Sequence, residues 1–267
     1  MMSFTEHRHP NGVVYMTAPT LRVKHGFSTR YGGVSTGHLA SLNLGSSLGD
    51  EPERVFKNYD LLGEAVGIDV RHMAFTKQAH GDAVRTVTEA DVHVFGTDVP
   101  YAADGLVTNV PGLALICFTA DCVPVLLCDH VHGVIAAVHC GWRSSVADIL
   151  KNALEQMLAL GARTETVCAA VGPAIGACCF EVGQEVVDAA EAWLGGSTAG
   201  LYAPEDGKAG KYLLDLKGAN ARRLLQLGLS AEQLAVSDEC TFCSHEKYWS
   251  HRYTGGRRGT QGSLIVL

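Results

Sequence analysis

The chain has 267 residues, of which 47% are hydrophobic, enough for a sizeable core, and its formal net charge of −7 excludes a general polyanion binder, which needs a broad basic face. Its nine cysteines are an odd number, and Cys117, Cys128 and Cys168 sit inside apolar runs, so they fit free thiols of a reducing cytoplasm and not a disulfide framework. The stretch Met1 to Pro10 lacks the apolar centre of a signal peptide, and no run approaches the roughly 20 apolar residues of a membrane span; the expectation is a cytoplasmic protein with no membrane and no nucleic-acid partner.

Residues 1–12 read as a loosely ordered tail. Val13 to Thr17 and Leu21 to Ser28 read as strands, and Thr29 to Gly49 is a glycine- and serine-rich loop. A loop of that length is uncommon in a compact domain unless it binds something. Within it Arg30 precedes Gly32 and Gly33, which puts a guanidinium beside backbone that can approach a ligand closely. Asp50 and Pro52 start a helix with Val55, Tyr59, Leu62 and Val66 on one stripe, closed at Gly67. Met73 to Thr76 is a strand that ends in Lys77-Gln78-Ala79-His80-Gly81. Asp104 to Asn109 and Leu113 to Thr119 are further strands, the second nearly free of polar residues and therefore buried on both faces.

The stretch Ala120 to Ser145 organises the rest. Two apolar runs, Val123 to Cys128 and Val134 to Val138, flank a polar turn at Asp129-His130-Val131-His132-Gly133, the pattern of a hairpin. With the turn centred between His130 and Val131, Val134 faces Leu127, Ala136 faces Val125 and His139 faces Cys122. Opposed residues share a face with Cβ atoms about 4.5–5.5 Å apart, close enough for a sulfur and an imidazole to hold one zinc ion. A one-residue slip would separate them, and spacing alone leaves open whether they are ligands or core and capping residues. Ser144 or Ser145 can cap the following helix, whose stripe runs from Val146 to Leu158 and closes at Gly161. Arg143 then lies at a strand-to-helix junction that favours an anion.

Val167 to Val171 is a strand leading into a loop that lacks the Gly-Lys-Ser/Thr ending of a nucleotide P-loop. Val182 to Leu194 is a helix, Leu201 to Lys211 an exposed loop, Tyr212 to Leu216 a strand, Lys217 to Leu227 a helix, and Leu234 to Val236 and Gly262 to Leu267 strands. Cys240 and Cys243 form a C-x-x-C with no second pair in zinc-ribbon spacing; Cys178 and Cys179 could complete a structural metal site with them. Ser250, His251, Arg252, Arg257 and Arg258 form a small basic cluster able to close over an anionic substrate. With no convincing linker, the expected class is α+β: a single domain of mixed β-sheets covered by helices.

With these residues laid out, the chain resembles the YfiH/YlmD family of purine nucleoside phosphorylases, formerly called multicopper polyphenol oxidoreductases or laccases. The resemblance rests on His25 to Ser35, Ser41 to Gly45, Gln78-Ala79-His80-Gly81, Ala103 to Thr108, Ala120-Asp121-Cys122-Val123-Pro124, His139-Cys140-Gly141-Trp142-Arg143, Gly172 to Gly176 with Cys179, Leu214-Asp215-Leu216 with Asn220, and Cys240-Thr241. It implies metal ligands at His80, Cys122 and His139, the same three residues being the catalytic set. Three protein ligands leave one position open, as in catalytic zinc sites. It further implies zinc as cofactor, with copper able to bind in vitro, and purine nucleosides and inorganic phosphate as partners of a monomer or small homo-oligomer. The implied reaction is phosphorolysis of adenosine, inosine, guanosine or methylthioadenosine to free base and the sugar 1-phosphate, with accompanying adenosine deamination. Arg30, Asn43, Gln78, Arg143 and Arg252 are the expected substrate and phosphate contacts. Cys140 and Ser144 stand where the family more often has Ala and Gly, which puts an extra thiol near the metal.

Three other enzyme classes compete with this reading. A multicopper oxidase needs about ten histidines in repeated H-x-H pairs, whereas this chain has 12 His in all and one such pair, His130 and His132, which counts against a copper-dependent polyphenol oxidase. An amide hydrolase with Cys122 as nucleophile and His139 as base is the main alternative. The zinc deaminases of nucleic-acid editing are excluded by the missing H-x-E and P-C-x-x-C elements.

Overall fold

The computed structural model describes residues 3–267. In chain order the strands and helices begin with β1 (Thr5–Arg8), β2 (Val14–Thr17) and β3 (Lys24–Ser28), then α1 (Pro52–Val66), β4 (Met73–Ala74), β5 (Val84–Thr86), β6 (Gly105–Thr108), β7 (Ala114–Thr119), β8 (Val123–Asp129) and β9 (Val134–Cys140). The second half holds α2 (Trp142–Val146), α3 (Ile149–Ala159), β10 (Cys168–Val171), β11 (Glu181–Gly183), α4 (Gln184–Trp193), β12 (Tyr202–Pro204), β13 (Lys211–Leu214), α5 (Leu216–Gln226), β14 (Leu234–Val236), α6 (His251–Thr254) and β15 (Gln261–Val266).

Two six-stranded sheets carry the fold, in the orders β1-β2-β3-β15-β7-β4 and β14-β10-β8-β9-β6-β5, and a third sheet runs β11-β13-β12. Both large sheets are mixed, since β4–β7, β10–β14 and β5–β6 pair in parallel and their other neighbours antiparallel. This bears out the α+β reading.

The period-2 alternation of each strand explains the layers. In β8 and β9, Leu126, Cys128, Ile135 and Ala137 meet Phe27, Leu115, Cys117 and Ile265 of the first sheet in a core between the sheets. Val125, Leu127, Val134, Ala136 and Val138 point the other way, onto Ile149, Leu150, Ala153 and Met157 of α3 and Leu224 of α5. On the far side of the first sheet, Ala114, Ile116 and Leu264 pack on Val55, Tyr59 and Leu62 of α1. The result is helix, sheet, sheet, helix. Strands β7, β8 and β9 are buried on both faces, as their unbroken apolar runs require, and each fully buried Leu, Ile or Val contributes about 1.5–3 kcal/mol of transfer free energy.

Four expectations change. The tail is not loose over Thr5–Arg8, which pairs with β2; residues 1 and 2 lie outside the described residues. The hairpin register is two residues off: Asp129 pairs with Val134 and Pro124 with His139, because Asp129 Oδ1 accepts the N–H groups of Val131 and His132 and makes a four-residue turn. A shift of two preserves the face. The long helix after the hairpin starts earlier, at Trp142, and breaks at Asp148, whose φ of 68° is left-handed and whose carboxylate is held by Arg223 and by Trp193 Nε1 at 3.0 Å. Inside the expected Leu201–Lys211 loop, Tyr202–Pro204 adds an edge strand to β13.

Candidate active site

Three chain segments meet at the open end of the core between the sheets. Cys122 immediately precedes β8 and His139 is the penultimate residue of β9. In the observed register they are diagonal neighbours on one face, the arrangement in which long side chains still touch. His80 arrives from the loop after β4, with a left-handed φ of 59°, a conformation that persists in a non-glycine residue only when its surroundings enforce it. The enforcement comes from Asp104, whose carboxylate accepts the backbone N–H groups of Ala79, His80 and Gly81 at 3.0, 3.0 and 2.9 Å.

His80 Nε2 lies 3.9 Å from Cys122 Sγ, and the two imidazole rings cross at 85° with centroids 4.8 Å apart. The three ligand atoms all lie within 4.8 Å of one another. His139 Nδ1 is 2.7 Å from Asp104 Oδ1, which directs Nε2 to the site and supplies the carboxylate partner that metal-bound histidines usually have. A Cβ added at Gly141 would sit 3.0 Å from His80 Cδ2 and 3.4 Å from Cys122 Sγ, so glycine there keeps the donors' space open. Two imidazole nitrogens and one thiolate match zinc's preferences. The donor set fits the ion.

The electrostatics of the three donors are unusual. Burial opposes ionisation of Cys122, but hydrogen bonds and charge from His139 and His80 outweigh it and bring the thiol down to about 6. Burial likewise opposes protonation of His139, yet Asp104 and Cys122 raise it to about 9. Cys140, the next residue, projects to the opposite face into the core under α3, and burial pushes its thiol well up; it is not the extra thiol beside the metal that the sequence suggested. Ser144 Oγ donates to the carbonyls of His139 and Gly141 at 3.2 and 3.1 Å.

The three donors open onto a cavity of about 840 Å³, within the range of small-molecule sites. One wall is aromatic: Phe75, Phe95, Phe118 and Tyr59 pack ring against ring with centroids 4.9 to 6.4 Å apart. The other wall carries Arg252, Arg258 and His251 beside Asp121 and Phe180.

A family model described as multi-copper polyphenol oxidoreductase laccase matches residues 24–267. A protein of Deinococcus radiodurans named purine nucleoside phosphorylase is 38% identical over 258 residues, covering 96% of this chain and 94% of that protein. The purine nucleoside phosphorylase YlmD of Bacillus subtilis is 33% identical over 247 residues, covering 91% and 87%. Among solved structures, YlmD from Geobacillus stearothermophilus superposes with a TM-score of 0.89 at 31% identity, covering 100% of this chain and 99% of that one. YfiH from Bacillus licheniformis superposes with a TM-score of 0.91 at 30% identity, covering 98% of each chain. The chain belongs to the YfiH/YlmD family.

On this YfiH/YlmD scaffold the expected substrate contacts divide into two groups. Gln78 and Arg252 line the cavity. Gln78 is committed to backbone, with Nε2 donating to Phe118 O at 2.7 Å and Oε1 accepting from Phe118 N at 2.6 Å, so it ties the His80 loop to β7. Arg252 donates its backbone N–H to Asp121 Oδ2 at 2.6 Å and Nη1 to Glu181 O at 3.1 Å.

Arg30, Asn43 and Arg143 lie outside the lining. The guanidinium of Arg30 stacks 3.9 Å over Trp249 and donates to the carbonyls of Ala40 and His245, because the glycine loop folds back on itself. Asn43 is fully buried, exchanging hydrogen bonds with Gly45, Asp50 and Thr260; it shapes the loop whose next residues, Leu44 and Gly45, do line the cavity. Arg143 is exposed, 4.4 Å over Trp142. The His130 and His132 pair sits in the β8–β9 turn, at the other end of the hairpin from Cys122, with His132 Nδ1 2.8 Å from Asp129 Oδ2.

Two residues, Asp104 and Asp121, went unassigned by sequence reasoning, and Arg258 was placed only within a basic cluster. Asp104 fixes both histidines. Asp121, with a left-handed φ of 85°, accepts from Thr241 Oγ1 at 2.7 Å, Arg252 N and, at its carbonyl, Ile175 N, clamping the chain just before Cys122. Arg258 Nη1 donates to Thr260 Oγ1 at 2.8 Å, while its buried Nε has no partner among the described residues. Burial lowers the affinity of this guanidinium for its proton, and the charges of Cys122 and Asp121 oppose that. The run of arginines at 252, 257 and 258 was the available signal.

Proposed function

We propose that this protein is a zinc-dependent purine nucleoside phosphorylase. The observation that carries the reading is the convergence of His80, Cys122 and His139 on a nucleoside-sized cavity with an aromatic wall on one side and two guanidinium groups on the other. The names of its relatives support the same chemistry.

In the proposed reaction an oxygen of inorganic phosphate bonds to the ribose C1′ as the bond from C1′ to the purine nitrogen breaks. The bonding pair leaves with the base, which takes up a proton. Phe75, Phe95 and Phe118 offer flat apolar surface to the purine. Arg258 and Arg252, both in the cavity lining, hold the phosphate by charge-assisted hydrogen bonds, which brings the nucleophile and C1′ into one encounter. Gln78 and Asp104 keep the His80 loop in place. His80, Cys122 and His139 would hold a zinc ion, which would supply Lewis-acid chemistry suited both to charge building on a departing purine and to deamination of adenosine. The proposed substrate range covers adenosine, inosine, guanosine and methylthioadenosine.

The test is a nucleoside panel with zinc-replete protein, run with and without phosphate and followed by chromatography of the base. Phosphate-dependent hypoxanthine and ribose 1-phosphate from inosine are expected; product formation indifferent to phosphate contradicts the reading.

A second reading, a cysteine-type amide hydrolase, is favoured by one observation. Against burial, His139 and His80 lower the Cys122 thiol to about 6, and Asp104 and Cys122 raise His139 to about 9, both shifts in the direction of the thiolate–imidazolium pair of an activated cysteine nucleophile. Metal dependence separates the two readings.

A further inference from the structure

Away from the catalytic cavity, four more cysteines meet. Cys178 and Cys179 sit on the loop between β10 and β11, and Cys240 and Cys243 on the loop after β14. These loops lie side by side through a parallel bridge between Ala174 and Cys240. The four sulfurs all lie within 4.8 Å of one another. Cys243 Sγ is 3.6 Å from Cys178 Sγ and 3.4 Å from Cys179 Sγ.

These distances choose between two uses of a thiol cluster. A disulfide joins two sulfurs at about 2.05 Å and dismisses the others. Zinc bonded to four thiolates at about 2.3 Å spaces the sulfurs about 3.8 Å apart at the corners of a tetrahedron. Cys243 is nearly equidistant from two partners, and a fourth sulfur lies within reach. That is a corner of a tetrahedron and not one end of a pair.

The surroundings suit thiolates. The backbone N–H of Gly176 donates to Cys240 Sγ at 3.2 Å. A Cβ at Gly176 would lie 3.3 Å from Cys178 Sγ and 3.4 Å from Cys240 Sγ, so glycine lets the backbone approach both sulfurs. Four thiolates around one divalent ion leave a net negative charge, and the buried Lys217 ammonium donates to the carbonyl of Glu239, the residue before Cys240, at 2.7 Å.

We propose that Cys178, Cys179, Cys240 and Cys243 form a second zinc site, closed and structural, distinct from the open site at His80, Cys122 and His139. Four protein ligands leave no position for substrate. Its work is mechanical: it staples the loop bearing Ile175 and Phe180 to the segment bearing Thr241 and Arg252, and these four residues build or clamp one wall of the cavity.

The test is zinc counted per chain by plasma mass spectrometry on full-length protein, reconstituted with zinc and freed of loosely bound metal. Wild type should hold two. Cys122→Ser should hold one, and the Cys178→Ser/Cys243→Ser double variant should also hold one, with a lower melting temperature. A double variant that does not fold is bypassed with Cys122→Ser loaded with cobalt(II), which should show the intense visible bands and sulfur-to-metal charge transfer of a four-sulfur tetrahedron. A wild type with one zinc that Cys122→Ser removes entirely, or a disulfide to Cys243 mapped in the reconstituted protein, overturns the second site and leaves the first intact.

Discussion

Oδ1 of Asp104 lies 2.7 Å from Nδ1 of His139, and the same carboxylate collects the backbone N–H groups of Ala79, His80 and Gly81. One buried side chain therefore sets the tautomer of one histidine and the backbone turn that delivers the other. Asp104→Asn keeps the shape but weakens both functions, and loss of such an outer partner typically costs about 10–100-fold in metal affinity. Competition titration of zinc against a chromophoric chelator should show a loss of that size, together with loss of nucleoside cleavage. Unchanged zinc affinity would mean that Asp104 is only a core hydrogen-bonding residue.

The arginines divide by placement. Arg258 lines the cavity, so Arg258→Met should raise KM for phosphate by about 10–100-fold, the equivalent of one or two charge-assisted hydrogen bonds, and leave KM for the nucleoside nearly unchanged. Arg30 is spent on the carbonyls of Ala40 and His245, so Arg30→Met should lower the melting temperature without a selective effect on phosphate. Steady-state kinetics with each substrate varied, paired with thermal melts, checks both halves; the opposite pattern reverses the assignment.

A separate prediction concerns the turn that sets the hairpin register. Asp129 is fully buried and accepts from Val131, His132 and Arg163 N–H groups and from Thr166 Oγ1. Burial opposes its charge, but these donors prevail and hold it at about 2, below the ordinary 3.8. A depressed carboxylate stabilises the fold fully above its unfolded value and loses that contribution as pH falls through its folded value. Asp129 thus contributes about 2 kcal/mol at neutral pH, which vanishes as pH drops from about 4 to about 2. Denaturant melts of Asp129→Asn should show a deficit of about that size at pH 7 that shrinks toward pH 2; a deficit constant with pH would contradict the role.

Much of the fold was legible because apolar runs and helical stripes mark buried strands and helix faces without knowledge of partners. The pairing of Cys122 with His139 survived an error in register because the error was even, and β side chains repeat every two residues. His80 was not readable from spacing: it reaches the pair through a loop held by Asp104 across 24 residues, a contact that only tertiary structure makes, and the family resemblance supplied it. Sequence could not show where Arg30 points, because a glycine-rich loop beside an arginine looks the same whether its carbonyls face a ligand or, as here, the arginine itself. Arg258 was visible as charge but not as a cavity residue, since nothing in an arginine run tells which member turns inward. The four-cysteine cluster was open to the sequence only as one option, because its halves lie on loops after different strands and share no ribbon spacing.

The central claim is that His80, Cys122 and His139 hold the metal on which phosphorolysis depends. The most direct measurement is phosphate-dependent release of hypoxanthine from inosine before chelation, after removal of metal, and after zinc is returned, with iodoacetamide applied to parallel samples. Activity should fall to background without metal and return with zinc, and zinc should protect Cys122 from alkylation. Phosphate-dependent hypoxanthine release that persists through complete removal of metal would contradict the account.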